Sequence, residues 1–167
     1  MSHTEHQALA PDRARVFVLT VSDTRTDETD TAGRAIIDLL RDAGHAVAGK
    51  AIEPDEPSRV AELVRQQAAI ADVDAIITTG GTGLTSRDST FEAIDGLLDK
   101  RLPGFGELFR MLSYHDIGTA AMMSRAGAGT IGRVIVISLP GSEKAVRLAM
   151  TKLVIPELGH MIQQAGK

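Results

Sequence analysis

The chain has 167 residues and no cysteine. That length suits one domain with a sizeable core, and the composition excludes disulfides, thiolate metal sites and a cysteine nucleophile. With a net charge of −4, 3% aromatics and no tryptophan, the chain offers neither a basic run nor a stacking platform, so nucleic acid is not an expected partner.

No apolar stretch is long enough to cross a bilayer and no signal-peptide pattern is present, so the expectation is a cytoplasmic protein without a membrane partner. Of the five histidines, His3 and His6 lie in a polar leader and His45, His115 and His160 are scattered. None has a paired ligand spacing, so any metal is expected to be a hard, oxygen-bound ion such as Mg²⁺.

In chain order, residues 1–14 read as a disordered, polar N-terminal tail, and a single domain is expected over 15–167. Residues 16–21 are a continuous apolar run, the pattern of a strand buried on both faces. A polar segment follows to Asp30. Ala35, Ile36, Leu39 and Leu40 then recur at helical spacing, with Gly44 placed to stop the helix. Residues 46–52 form a weaker strand pattern. Pro57 suits the start of a helix whose inner face is Val60, Leu63 and Val64. A strand over 73–79 delivers the glycine loop. Ser89 and Glu92 match a capping box, which predicts a helix that carries Ile94, Leu97 and Leu98 inward. Residues 101–125 are expected to be mostly helical. Residues 134–139 are a last buried strand, Ser142 is placed to cap the final helix, and Pro156 is expected to kink or split it. Strands alternating with helices imply an α/β fold, a three-layer αβα sandwich with a mostly parallel central sheet.

In such a sheet, ligands bind outside the carboxyl ends of the strands. Four segments leave those ends: 22–23, 53–57, 80–89 and 140–142. Three carry carboxylates and two carry glycine. The glycine loop Thr79-Gly80-Gly81-Thr82-Gly83 lets backbone N–H groups approach an anion, and the following helix start adds partial positive charge. No Lys-Ser or Lys-Thr pair follows, so this is not a Walker A loop; amide dipoles, Arg87 and a metal would offset phosphate charge. A tight strand-to-helix turn also calls for glycine. Asp88 reads either as a cleft carboxylate able to hold a metal or as an acid favouring the helix dipole. Asp55 fits a surface helix opening equally well, and turns or caps account for Ser22, Asp23 and Ser142. Arg125, Lys144 and Glu107 are charged residues of the kind that usually face solvent on helices.

The stretch Thr78-Thr79-Gly80-Gly81-Thr82-Gly83, followed by Asp88, Thr90, Glu92 and Ala93, resembles the signature of the MoaB/MogA family of molybdenum cofactor biosynthesis proteins, which includes the gephyrin G domain. Thr20-Val21-Ser22-Asp23, Pro54-Asp55-Glu56, Ser124-Arg125-Ala126 and Leu139-Pro140-Gly141-Ser142 match as well. Residues 104–111 and 117–119 look most like the MoaB branch. Two positions depart from many MogA-type members: Phe91 stands where they have proline, and Ser89 where they have a small apolar residue.

The resemblance implies binding of molybdopterin and Mg²⁺-ATP-dependent adenylylation of its terminal phosphate, with release of pyrophosphate. A non-catalytic, molybdopterin-binding accessory protein is the alternative. It implies that Asp55 and Asp88 are the catalytic, Mg²⁺-holding pair. Ser22, Asp23, Thr79, Gly80, Gly81, Thr82, Gly83, Arg87, Thr90, Ser124, Pro140, Gly141 and Ser142 would bind ATP and the pterin. It also implies a homotrimer or homohexamer, in which residues 105–123 pack against a neighbouring copy.

Overall fold

Four short apolar runs become adjacent parallel strands in the computed structural model, which describes residues 10–167. In chain order the elements are β1 (Arg15–Val21), α1 (Thr31–Asp42), β2 (Ala46–Glu53), α2 (Pro57–Ala68), β3 (Ala75–Thr79), α3 (Thr90–Asp95), β4 (Lys100–Arg101) and α4 (Pro103–Ile117). After a 3-10 segment (Gly118–Met123) come β5 (Gly127–Ile131), β6 (Val134–Leu139), α5 (Glu143–Ala149), a π-helical stretch (Met150–Val154) and α6 (Ile155–Ala165). Residues 1–9 of the expected tail, with His3 and His6, lie outside the described residues. Ala14 is buried, and its N–H donates to His45 Nδ1 at 3.1 Å.

The strand order is β2-β1-β3-β6-β5-β4. β2, β1, β3 and β6 are parallel neighbours; β5 runs antiparallel to β6, and β4 antiparallel to β5. Alternation along β1 separates two cores. Val16 and Val18 join Ile36 and Leu40 of α1, Val146 of α5 and Leu158 of α6, with Phe109 of α4 in the same cluster. Phe17, Leu19 and Val21 join Val60 and Val64 of α2 and Ile94 of α3. Burial on both faces is why these strands read as unbroken apolar runs, and it produces the expected three layers.

Three local expectations change. β4 and β5 were not foreseen: β4 has two residues, and Gly127-Ala128-Gly129 opens β5 without large apolar side chains to mark it. Ser89 sits at the start of α3 but makes no side-chain cap: its hydroxyl donates to the Arg87 carbonyl at 3.5 Å, and the Glu92 carboxylate pairs with Arg125. At Pro156, where a kink or split is expected, the last helix is interrupted by a π-helical stretch rather than broken into separate helices. The π-helical stretch lies immediately before α6 and absorbs the missing N–H donor, so α5 and α6 continue through it.

Candidate functional site

Because β1, β2, β3 and β6 are parallel, the loops 22–23, 53–57, 80–89 and 140–142 emerge along one edge of the sheet. The chain leaves β1 toward β2 on one side and leaves the neighbouring β3 toward β4 on the opposite side, so the edge contains a topological switch point between β1 and β3. Hydrogen bonds lace the four loops together. The Asp55 N–H donates to Asp23 Oδ1 at 3.0 Å. Arg87 donates from Nε to Asp23 Oδ2 at 2.9 Å and from Nη2 to Oδ1 at 3.0 Å. Thr90 Oγ1 donates to Asp55 Oδ1 at 2.6 Å, and Thr79 Oγ1 donates to the Pro140 carbonyl at 2.7 Å.

The glycine loop turns at Gly80 and Gly81, whose φ values of 96° and 70° lie in the region that favours glycine. A Cβ at Gly80 would stand 2.1 Å from the Val21 carbonyl oxygen, so side chains are excluded there by contact as well. Beyond this bend, the N–H groups of Gly81, Thr82, Gly83 and Leu84 donate to no other group among the described residues. Four consecutive unpaired donors in a glycine-rich bend are of the kind that can receive an anion. α3 has only six residues, so the attraction expected from its dipole is small and the loop amides supply most of the pull.

The two singled-out carboxylates sit differently. Asp55 is buried and held by the buried Thr90 hydroxyl. Asp88 lies two residues before Thr90 and turns back onto its own loop. There its Oδ2 accepts from the Thr85 N–H at 3.1 Å and from the Thr85 hydroxyl. Hydrogen bonding to Arg87, reinforced by the Asp55 N–H, holds the Asp23 carboxyl at about 2, below its ordinary 3.8. The same carboxylate raises Arg87 above the ordinary arginine value. Arg87 therefore arrives at the edge already paired.

Other sequence-singled residues take several roles. Ser22 Oγ accepts from the Thr24 and Arg25 N–H groups at 3.2 and 3.1 Å, shaping a turn. Ser142 Oγ accepts from the Ala145 N–H at 3.2 Å and so caps α5. Gly141 packs against Gly80, which brings the last loop onto the glycine loop. Ser124 lies elsewhere: its hydroxyl is buried without a hydrogen-bond partner, beside a cavity of about 400 Å³ that no residue of the four loops lines. Phe91, Leu98, Leu102 and Met122 make that cavity largely apolar.

Arg125 departs from the solvated-face expectation. It lies off the helices, and its guanidinium reaches back across more than forty residues to the carbonyls of Thr82 and Gly83. Only the fold, which brings the Arg125 guanidinium onto the glycine loop, reveals this role.

Among the described residues, no cluster of three or more histidine, aspartate and glutamate side chains forms a ready-made metal site. Mg²⁺ needs less, since one or two carboxylates plus substrate phosphates commonly hold it. Asp55, beside the Thr90 hydroxyl, and Asp88, beside the Thr85 hydroxyl, each offer hard oxygen donors of the type Mg²⁺ takes. No helix among the described residues is long and apolar enough to cross a membrane.

A family model described as "Probable molybdopterin binding domain" matches residues 17–160. The chain belongs to the MoaB/MogA family. It is 53% identical over 162 residues to the molybdenum cofactor biosynthesis protein B of Bacillus cereus, a match covering 96% of each chain. A crystal structure of a molybdenum cofactor biosynthesis protein B superimposes with a TM-score of 0.90 at 52% identity, over 93% of this chain and 98% of that one. The tungsten cofactor synthesizing protein MoaB from Pyrococcus furiosus does so with a TM-score of 0.84 at 37% identity, over 95% and 100% respectively. Membership accounts for a MoaB-like α/β fold in which the signature motif forms the glycine loop.

Proposed function

We propose that this protein acts in molybdenum cofactor biosynthesis, binding molybdopterin and adenylylating its terminal phosphate at the expense of ATP. The observation that carries the reading is the free amide run of residues 81–84 on the same edge as Asp55 and Asp88. In the reaction, an oxygen of the pterin phosphate attacks the α-phosphorus of ATP. The bond from that phosphorus to the bridging oxygen breaks, and pyrophosphate departs with the electron pair. Phosphoryl chemistry of this kind asks the protein for alignment and charge stabilisation rather than covalent participation.

The residues divide that work. The N–H groups of Gly81, Thr82, Gly83 and Leu84 receive phosphate oxygens and stabilise charge that grows on them. Asp55, oriented by Thr90, and Asp88 would hold Mg²⁺, which when bound neutralises phosphate charge. Asp23 keeps Arg87 at the rim of the edge, from where it can turn to an incoming phosphate. Thr79 ties the 140–142 loop to the start of the glycine loop and so holds the two side by side.

A second reading, a molybdopterin-binding accessory protein without catalysis, draws on the inward turn of Asp88 onto Thr85. One assay separates the two. With molybdopterin, ATP and Mg²⁺, the enzyme releases pyrophosphate, and Asp88→Asn lowers the rate by about two orders of magnitude or more, the scale of losing an electrostatic catalytic contact. Full activity in Asp88→Asn removes Asp88 from the mechanism. Pterin binding without any nucleotide dependence or pyrophosphate release selects the accessory role.

The proposed assembly is a homotrimer or homohexamer. Leu108, Met111, Tyr114 and Ile117 on α4, with Met122 and Met123 beyond it, are exposed large apolar side chains, and a neighbouring copy is the partner proposed for them.

A further inference from the structure

Arg125 is remote in sequence from all four loops, yet its guanidinium is committed to one of them. Nε donates to the Thr82 carbonyl at 2.9 Å, and Nη2 donates to the Gly83 carbonyl and to the Asp88 carbonyl, the latter at 3.1 Å. Nη1 pairs with Glu92, and the guanidinium carbon lies 5.2 Å from the centre of the Phe91 ring. Its charge is thus balanced by a carboxylate and its flat face is covered by an aromatic ring. Such an arginine has little net charge left to offer a ligand. What it offers is geometry.

A trans peptide points its C=O and N–H in opposite directions. Drawing the Thr82 and Gly83 carbonyls toward Arg125 therefore turns the N–H groups of Gly83 and Leu84 the other way. Those are two of the four donors that have no partner in the loop. Without the guanidinium, two carbonyls of a glycine-rich bend lose the contacts that fix their orientation, and the loop can rotate those peptides at small cost. Lysine cannot substitute, because its single ammonium lacks the planar fork that reaches separate carbonyls at once.

We propose that Arg125 is a positioning residue. It presets the Gly83 and Leu84 amides for phosphate oxygens without touching the ligand, and Glu92 and Phe91 hold it in place. The inference rests on the phosphate-binding reading of the glycine loop, but not on adenylyl transfer itself. Direct binding of inorganic pyrophosphate, measured by calorimetry, is therefore the suitable probe.

In Arg125→Ala the affinity should fall about tenfold, equivalent to about 1.4 kcal/mol, and millimolar guanidinium should restore it. Arg125→Lys keeps the charge and the aliphatic stem, which guards against simple loss of fold. It should show the same fall in affinity with a melting temperature close to that of the unaltered protein. Amide resonances of Gly83 and Leu84 should shift in both variants before any ligand is added.

Wild-type affinity in Arg125→Lys overturns the inference while leaving the phosphate reading intact. A loss in Arg125→Ala that guanidinium does not restore, with Gly83 and Leu84 resonances unmoved in Arg125→Lys, assigns Arg125 a structural role only and also overturns it. Failure of the unaltered protein to bind pyrophosphate overturns the phosphate reading first, and this inference with it.

Discussion

Asp23 accepts two hydrogen bonds from the Arg87 guanidinium and one from the Asp55 N–H, so one side chain connects the loops that follow β1, β2 and β3. The pairing leaves a signature in its titration. Its carboxyl falls from the ordinary 3.8 to about 2, chiefly through the hydrogen bond from Arg87. A depressed folded value means the contribution is fully present above the unfolded value and is lost as pH falls through about 2. Both side chains are substantially exposed, 40% for Asp23 and 59% for Arg87, so solvent screens the pair and global stability should change little. The sharper test is local. A carboxyl NMR titration should place Asp23 near about 2 in the unaltered protein and return it toward 3.8 in Arg87→Ala. An ordinary midpoint in the unaltered protein would show that the bridge between loops does not form in solution.

Ser142 shows how an element's end can carry two meanings. Its hydroxyl accepts from the Ala145 N–H and caps α5, so Ser142→Ala should cost about 0.5–2 kcal/mol in a urea denaturation measurement. If the hydroxyl also serves a ligand, pyrophosphate affinity falls too; a pure cap leaves it unchanged. The cap could be read from sequence because donor and acceptor are three residues apart. The parallel strands could be read for a similar reason: Val16, Phe17, Val18 and Leu19 are all buried, and their apolar run records it. The convergence of the four carboxyl-end loops then followed from strand direction alone. β5 left no such record, since glycine and alanine pair in the sheet without a distinctive pattern. The Glu92 half of the Ser89–Glu92 capping pattern failed for the opposite reason: Arg125, thirty-three residues away, captured Glu92. Local pattern carries no information about a competitor that only the tertiary fold delivers. The same limit hid Arg125, whose carbonyl partners at Thr82 and Gly83 lie more than forty residues before it.

At the scale of the molecule, the distribution of apolar surface is uneven. Both faces of the sheet are covered by helices, and the cores on either side are closed. Apart from single exposed side chains such as Leu84 and Ile70, the exposed large apolar residues among those described gather on α4 and the 3-10 segment after it. Leu108, Met111, Tyr114 and Ile117 recur every third residue there and are 48%, 51%, 57% and 54% exposed; Met122 and Met123 extend the patch at 74% and 55%. A group of this kind is the usual mark of a protein contact, and burying the exposed half of such a side chain is worth about 1 kcal/mol. Charge on the patch reverses that gain, because an interface would have to bury an unpaired carboxylate. Met111→Glu combined with Tyr114→Glu should therefore convert the proposed trimer or hexamer to monomer in light scattering coupled to size exclusion. A monomeric unaltered protein, or an assembly that survives both glutamates, would assign the apolar face to something other than self-association.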